Sequence, residues 1–249
     1  MALSLSHHTV HIPDLDPAHE GLTIAHLTDV HVGLLTPRKR IRRAVELANE
    51  ARADVIVMTG DYVCYAKKFV PVMGEALAGL EASAGVVVTL GNHDHWTDTE
   101  GCTRALEGNG YSVLRNASTT LRPRGVPFTV VGVDDNVTRQ ADPDRAFAGA
   151  ERRGTTLCLT HCPEMAPAAA ARGAHLIVAG HTHGGHVHVQ RVTEKLYRRF
   201  TKKSFLSGWY GVGDAMLYVN RGIGSSSVPV RAGEGAQSEV AIFTLRRAA

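Results

Sequence analysis

The chain has 249 residues, with a hydrophobic content of 44%, a charged content of 20% and a formal charge of +3. That length suits one large domain or two small ones, and so small a net charge does not by itself imply nucleic-acid binding. The four cysteines form no CxxC pair, which argues against a disulfide framework. The first residues resemble no signal peptide, and no apolar run approaches the roughly 20 residues that cross a bilayer. We therefore expect a cytoplasmic protein.

Strand-like and helix-like patterns alternate along most of the chain. In chain order they predict strand 22–30, helix 37–52, strand 54–60, helix 69–82, strand 85–92, helix 98–110, strand 128–135, helix 142–154, strand 155–161, helix 163–173 and strand 175–183. This alternation predicts an α/β domain with buried strands. The last quarter adds strands over 215–222 and 239–247, which predict a second sheet packed on the first. Because no repeat or linker interrupts the chain, we expect a single domain over residues 1–249.

Ligand-type side chains follow five of these strands, at the point where each strand ends. They are Asp29 and His31, then Asp61, then Asn92, His93 and Asp94, then His161, and finally His181 and His183. In an α/β sheet, ligands gather at the carboxyl ends of the strands, so the five ends predict a single site. Residues i and i+2 of an extended segment point the same way, so each i, i+2 pair can hold one ion. A lone "GD" or "GN" is usually only a turn, but the complete set in this order indicates a metal site.

The motifs "DVH", "GDY", "GNHD", "TH" and "GHTH", in that order between residues 22 and 186, resemble the calcineurin-like metallophosphoesterase superfamily. The tail "YVNRGIGSSSVPVR" is similar to its bacterial branch of membrane-associated or cell-envelope phosphodiesterases, which includes UDP-2,3-diacylglucosamine hydrolases. The resemblance implies an α/β, four-layer αββα sandwich of two central mixed β-sheets flanked by helices, with its core over about 22–245. "GNHD" and "GDYVCYAKK" differ from the Ser/Thr phosphatase motifs "GNHE" and "GDxVDRG", which argues against a phosphoprotein phosphatase.

The resemblance also implies roles for the residues at the strand ends. It assigns Asp29, His31 and His183 to one metal, Asn92, His161 and His181 to a second metal, and Asp61 to a bridge between them. His93 would act beside the metals without binding them, and Asp94 would orient its imidazole. Imidazole, carboxylate and amide ligands suit two divalent transition-metal ions, of which we expect manganese first, with iron or zinc as alternatives, and they suit calcium less well.

These assignments predict a metal-dependent phosphodiesterase or pyrophosphatase. Two metals about 3.5–4 Å apart can hold a bridging water and lower its pKa, and the resulting hydroxide would attack phosphorus in line. His93 would protonate the leaving oxygen, a contribution of roughly 10²- to 10⁴-fold. A nucleotide–lipid is the leading substrate, followed by a cyclic nucleotide or a nucleic acid. The alternative is a non-catalytic scaffold with the same fold, and the complete ligand set together with His93 favours the enzyme.

The sequence leaves the roles of three further features open. His186 either touches substrate or lies further out, and Arg221 in "NRG" is a candidate phosphate contact. The stretch 194–210 interleaves basic and aromatic residues. It is either a solvated loop or a rim that meets a membrane surface, an anionic apolar substrate or single-stranded nucleic acid. The oligomeric state stays open.

Overall fold

The computed structural model describes residues 3–151, 154–185, 199, 204–226, 231–233 and 236–248. Within them the strands are β1 (Ser4–Ile12), β2 (Thr23–Leu27), β3 (Val55–Thr59), β4 (Val86–Thr89), β5 (Ser112–Val113), β6 (Ala117–Leu121), β7 (Phe128–Val133), β8 (Thr156–Thr160), β9 (Leu176–Ala179), β10 (Gly208–Val212), β11 (Ala215–Val219) and β12 (Glu239–Arg247). The helices are α1 (Arg38–Glu50), α2 (Val70–Leu77), α3 (Asn92–Gly108), α4 (Pro143–Ala148) and α5 (Ala166–Ala170).

The strands form two mixed sheets. The first has the order β1-β12-β2-β3-β4-β5, and the second has the order β10-β11-β9-β8-β7-β6. Strands β2 to β5 are mutually parallel, as are β7, β8, β9 and β11. Because all the strands of a parallel set end on the same side, each sheet presents the loops that follow its central strands at one edge.

Alternation within the strands explains how the layers pack. In β3, Val55 and Val57 join an apolar cluster that also contains Leu157 of the second sheet. Ile56 and Met58, which point to the opposite face, join a cluster with side chains of the helices that cover the first sheet. A third cluster lies between the second sheet and helices α4 and α5. The predicted fold of two mixed sheets with flanking helices is therefore confirmed.

Helix α3 begins earlier than the sequence predicted. We expected a helix over 98–110. The structure has a break at Asp98, whose φ of −171° and ψ of 89° are not helical, and a preceding segment that begins at Asn92 and carries Asn92, His93 and Asp94 in its first turn. The reason is a hydrogen bond at the start of the helix, where the Asp94 carboxylate accepts from the Gly91 amide at 2.9 Å. Three of the candidate site residues therefore sit on a helix end and not in a loop.

The ends of the chain differ from expectation. The region before residue 22 was not predicted to contain a strand, yet β1 pairs in parallel with β12 along its whole length. His19 in this region is fully buried with its ring edge-on to Phe128. The strands of the last quarter do not form a sheet of their own, because β10 and β11 extend the second sheet while β12 enters the first. The single-domain expectation stays a prediction.

Candidate metal centre

The candidate site lies where loops from the two sheets meet at the carboxyl ends of their parallel strands. In the first sheet, the Asp29 amide donates to the Gly60 carbonyl at 3.0 Å and the His31 amide donates to the Asp61 carbonyl at 2.9 Å. The loops after β2 and β3 are thus joined side by side. From the second sheet, the His181 amide donates to both carboxylate oxygens of Asp29, at 3.2 and 3.0 Å. The structure therefore brings the predicted strand ends together.

Asp29, His31 and His183 form a first cluster of buried ligand-type atoms. The Nε2 atoms of His31 and His183 are 3.0 Å apart. Asp29 Oδ1 lies 3.4 Å from Nε2 of His183 and 3.7 Å from Nε2 of His31. Two ring nitrogens so close repel each other unless a proton or a cation lies between their lone pairs. The three side chains can therefore hold one metal ion, as their mutual distances also allow.

Asp61, His161 and His181 form a second cluster. Nε2 of His161 is 3.2 Å from Asp61 Oδ2 and also 3.2 Å from Nδ1 of His181. The same Asp61 oxygen lies 3.6 Å from Nε2 of His31, which belongs to the first cluster. Asp61 therefore lies between the two clusters, where a carboxylate could bridge two metal ions.

Asn92 supplies a further oxygen at this edge. Its side-chain Oδ1 is buried and has no hydrogen-bond partner among the described residues. An unsatisfied buried acceptor costs about 1–3 kcal/mol, so it usually marks a position where something else binds. Imidazole nitrogens, carboxylates and one amide oxygen together suit a divalent transition metal. The residues present therefore fit the metal ions that the motif resemblance implies.

The backbone of the candidate ligands is strained. Five of the seven have left-handed φ angles, namely Asp29 at 51°, His31 at 49°, Asp61 at 56°, His181 at 74° and His183 at 52°. Such conformations cost on the order of 1–3 kcal/mol each in residues other than glycine and concentrate at functional sites. The expectation that each i, i+2 pair is extended is therefore wrong, because both members of each pair are left-handed. The side chains converge through this backbone conformation.

Two glycines let the loops approach one another. A Cβ atom on Gly91 would overlap the Asp61 carboxylate and amide, and a Cβ atom on Gly180 would overlap Asp29 Oδ2 and Thr28 Oγ1. Any side chain at either position would push a candidate ligand out of place. Glycine at these two points is therefore a requirement of the site's geometry.

Hydrogen bonds to the far ring nitrogens orient two of the histidines. Nδ1 of His161 lies 2.7 Å from the Thr59 carbonyl, which only accepts, so Nδ1–H donates and Nε2, which faces Asp61, is the nitrogen available to a metal ion. Nδ1 of His31 lies 3.0 Å from Sγ of Cys64, a residue that the sequence analysis did not assign to the site. A proton on that Nδ1 would leave Nε2 of His31 free to act as a ligand.

The metal-free clusters hold strong charges. Burial alone would lower the pKa of His31 and of His161. Asp29, Cys64 and Asp61 outweigh burial at His31, and Asp61 and Asp29 outweigh it at His161, so that each pKa is raised to about 10. Burial alone would raise the pKa of Asp29, but the charge of His183 and the hydrogen bond with His31 hold it well below its usual range. Asp61 is held low by His161 in the same way. In the metal-free protein, protons on the histidines therefore occupy the place that cations would take.

His93 joins neither of these two clusters, but with His31 and Cys64 it forms a third group of buried ligand-type atoms. Its Nε2 is 4.0 Å from Asp61 Oδ2. Its ring stands edge-on to Tyr65 at 4.9 Å and to Trp96 at 5.2 Å between centroids. Burial is the main cause that lowers its pKa, although the charge of Asp61 opposes the shift. A lowered pKa makes the protonated imidazole a stronger acid toward a leaving group.

Asp94 has other partners than the sequence predicted. Its Oδ2 accepts from the amides of Gly91 and Asp61, and its Oδ1 accepts from the amides of Tyr62 and Val63, at 2.8–3.2 Å. Across the described part of the chain, no hydrogen bond joins Asp94 to the His93 ring. Burial and the charge of Asp61 raise the pKa of Asp94 to about 7, against these four N–H donors. In this structure Asp94 therefore fixes the loop that carries Asp61, and the predicted contact with the imidazole is absent.

Arg231 was missed by the sequence analysis. Its buried guanidinium lies 2.8 Å from Nδ1 of His183, donates to the Arg221 carbonyl at 2.6 Å and also bonds the Gly224 carbonyl. Because a guanidinium only donates, a metal ion bound through Nε2 of His183 would require this contact to open. Burial lowers the pKa of Arg231 to about 10, so it stays charged near neutral pH. It orients the His183 ring and places a fixed positive charge beside the first cluster. No local pattern marks it, since 48 residues separate it from His183.

The remaining candidate residues from the sequence lie away from the two clusters or outside the described residues. His186 and, within 194–210, residues 194–198 and 200–203 lie outside the described residues. The Arg221 guanidinium, a candidate phosphate contact, instead lies 2.5 Å from the buried carboxylate of Glu239. Among the described residues, no helix is long and apolar enough to cross a membrane.

The chain is similar to known proteins over most of its length. The family described as calcineurin-like phosphoesterase matches residues 22–185. The chain is 28% identical, over 92% of its length, to a transmembrane protein with metallophosphoesterase domain from Danio rerio, of which it spans only 54%. It is 29% identical to the phosphodiesterase YaeI of Escherichia coli, with 81% of this chain and 75% of that protein covered. Its fold is similar to that of TT1561 of Thermus thermophilus, with a TM-score of 0.53, 13% identity, and 82% and 90% of the two chains covered.

Proposed function

The chain belongs to the calcineurin-like phosphoesterase family, and on that premise we propose that it is a metal-dependent phosphodiesterase or pyrophosphatase. The observation that carries the proposal is that buried ring nitrogens and carboxylate oxygens lie 3.0–3.7 Å from one another in two clusters. Asp61 Oδ2 lies close to a histidine nitrogen of each cluster. Here strained loops hold ligand-type atoms facing one another.

In this proposal two divalent ions are held by residues from both sheets. Asp29, His31 and His183 hold one ion, Asn92, His161 and His181 hold the other, and Asp61 bridges them. Manganese is the first expectation and iron or zinc are alternatives, since this donor set suits all three. When bound, such ions supply Lewis acidity toward a phosphate group and activate water.

The chain's own residues supply the rest of the chemistry. His93 donates a proton from its imidazole to the leaving oxygen, since it lies beside the ligand clusters and its burial makes it a stronger acid. The guanidinium of Arg231 offsets the negative charge of a phosphate held at the first cluster. Asp94 holds the loop of Asp61 through four backbone amides, so that the bridging carboxylate keeps its position.

The test is hydrolysis of bis(p-nitrophenyl) phosphate by purified protein with added manganese, with and without a chelator, together with elemental analysis of the metal content. We expect metal-dependent release that the chelator abolishes. Folded protein that binds transition metals yet releases no product from any phosphodiester or diphosphate would instead support the non-catalytic scaffold.

Within this activity, a nucleotide–lipid diphosphate remains the leading substrate. The support is chemical, because such a substrate offers both a phosphate group for the metals and an apolar portion. A screen of lipid-linked diphosphates, cyclic nucleotides and single-stranded oligonucleotides would distinguish the classes. Preferential turnover of a cyclic nucleotide would displace the nucleotide–lipid hypothesis and leave the phosphodiesterase proposal in place.

A further inference from the structure

Exposed hydrophobic side chains concentrate around the candidate metal centre. Among the described residues, five large hydrophobic side chains are exposed, namely Leu34 at 89%, Leu35 at 39%, Tyr65 at 64%, Trp96 at 58% and Val137 at 41%. Leu34, Leu35 and Tyr65 line one cavity together with His31, and Trp96 lies against the His93 ring. Single exposed apolar residues need no explanation, but a group of four around one site indicates a binding surface.

The cavity beside the first cluster has a mainly apolar wall. It has a volume of about 370 Å³, within the usual range for ligand sites, and its wall includes Leu34, Leu35, Tyr65 and Phe69. The ammonium of Lys68 lies along the same cavity, 5.3 Å from the centre of the Phe69 ring. An apolar wall with one cation favours an anionic ligand that carries a hydrocarbon portion.

The cavity lies next to the candidate metal centre. His31 forms part of the cavity wall although its side chain is fully buried, and its Nε2 belongs to the first cluster, 3.0 Å from Nε2 of His183. Tyr65 lines the cavity as well, and its ring lies against the ring of His93. A phosphate ester whose phosphate group lay at the metal centre would therefore have this cavity beside it.

We propose that this cavity is a subsite for the apolar arm of the phosphate ester whose phosphate group lies at the metal centre. The inference rests on the proposed function and narrows its substrate class to phosphodiesters or diphosphates that carry an alkyl or acyl chain. Burial of that chain against Leu34, Leu35 and Phe69 supplies binding energy, and the Lys68 ammonium complements the anionic head. A bilayer surface is the alternative partner for the same exposed side chains, and the experiment below separates the two.

The experiment uses the full chain with manganese and a series of alkyl p-nitrophenyl phosphates with methyl, butyl and octyl chains, at concentrations at which the octyl ester is monomeric. We expect kcat/KM to rise with chain length, by up to about fourfold for each methylene that is fully buried. Isothermal titration of octylphosphonate and methylphosphonate gives a readout that does not depend on turnover. The octyl compound should bind more tightly and with a more negative heat-capacity change.

A variant pair locates the effect. In the double variant Leu34→Ser/Leu35→Ser, whose positions are exposed and tolerate polar residues, we expect the octyl-to-methyl ratio of kcat/KM to fall about tenfold. Val137→Ser is the matched control, since Val137 is also exposed but does not line the cavity. Its ratio should equal that of the unmodified chain.

Metal-dependent hydrolysis with no dependence on chain length, or a dependence that the double variant leaves intact, would overturn the subsite but keep the proposed function. A flat chain-length profile together with sedimentation on phosphatidylglycerol vesicles that the double variant abolishes would assign the surface to membranes instead. Absence of turnover with every ester would contradict the proposed function, and the phosphonate titration would then decide the subsite by itself.

Discussion

The first sheet holds its share of the candidate metal centre differently from the second. The loops after β2 and β3 are joined by backbone hydrogen bonds, and the Asp94 carboxylate gathers four further amides of the same region. The histidines of the second sheet are positioned by reaching across the sheets. His161 bonds the Thr59 carbonyl, and the His181 amide bonds the Asp29 carboxylate.

The first sheet therefore acts as a template, and the histidines of the second sheet are positioned by their contacts with it. Within the first sheet, backbone amides and the Asp94 carboxylate fix the loops that carry Asp29 and Asp61. The second sheet's histidines depend on the template for two of their contacts. Changes in the first sheet should therefore disturb both clusters, whereas changes in the second should act locally.

Asp61→Asn should have the largest effect, because Asp61 Oδ2 lies near ligand atoms of both clusters. An amide lacks the charge that offsets two cations, so we expect both ions to be lost and phosphodiester hydrolysis to fall to the level seen with a chelator. Elemental analysis and the bis(p-nitrophenyl) phosphate assay measure this. Asp144→Asn, which alters an exposed carboxylate paired with Arg172, is the control. Full metal content in Asp61→Asn would refute the bridging role.

His93→Ala should reduce turnover by roughly 10²- to 10⁴-fold while leaving both ions bound, because the imidazole is assigned to proton transfer and not to coordination. The measurement combines kcat with metal content on the same sample. Activity should recover partly when the substrate carries a better leaving group, which needs less protonation. Loss of metal from this variant would show that His93 is a ligand.

Asp94→Asn tests the template directly. The amide keeps one acceptor oxygen but turns an NH₂ group toward backbone amides that also donate, so we expect metal affinity to weaken by about 10- to 100-fold. The free energy of unfolding of the metal-free protein should fall by about 1–3 kcal/mol, because buried N–H groups lose their acceptor. If activity fell through an altered pH profile, at unchanged stability and metal affinity, the original assignment of Asp94 to the His93 ring would be favoured instead.

A change of pH should affect both sheets together, since His31 comes from the first and His161 from the second. Both have a pKa of about 10 in the metal-free protein, raised from 6.5. Their contribution to stability is complete below pH 6.5 and is lost as the pH rises through about 10. Metal ions compete with the same protons, so metal affinity should rise over this window by about tenfold per pH unit for each proton displaced.

Thermal melting of chelator-treated protein and metal titration between pH 6.5 and 9 measure both trends. His31→Gln and His161→Gln should each lower the number of protons released on metal binding by about one, as measured by calorimetry in buffers of different ionisation enthalpy. Metal affinity that does not change with pH would contradict protonation of these histidines in the metal-free state.

The smallest effect is expected in the second sheet, from Thr182→Val. The Thr182 hydroxyl donates to the Leu206 carbonyl at 2.5 Å, a bond that holds the loop between His181 and His183. Its loss costs about 1 kcal/mol, so metal affinity should fall only about fivefold. Thr103→Val, which removes a hydroxyl bonded within α3, is the matched control. A loss as large as that of Asp94→Asn would refute the unequal roles of the two sheets.

Much of this arrangement follows from local sequence patterns. The alternation of strands and helices predicts the two mixed sheets, because buried parallel strands read as short apolar runs. The order of ligand-type residues at the strand ends predicts which side chains meet. Strand β1 was not predicted, because its partner β12 is far away in the sequence and no local pattern indicates their pairing.

The finer geometry of the site depends on contacts that no local pattern contains. The left-handed conformations of Asp29 and His181 occur where loops of both sheets meet, and no local pattern in the sequence predicts them. Asp94 bonds amides some thirty residues away, so its partners are invisible in "GNHD". Arg231 reaches His183 from a distant loop in the same way. The sequence indicated the candidate ligands, whereas the contacts that orient them are visible only in the structure.

The place of β12 between β1 and β2 bears on how the protein is made. Ser4 and Ser238, which bond one another at that sheet edge, are 234 positions apart. During synthesis β2 to β5 can pair soon after they emerge, but β1 has no neighbour until almost the whole chain has been translated. Such non-local pairing is slow, since the entropy of closing a long loop precedes any gain from contacts. The nascent chain therefore carries an open sheet edge until the last strand inserts, a stage at which a chaperone would protect it from aggregation.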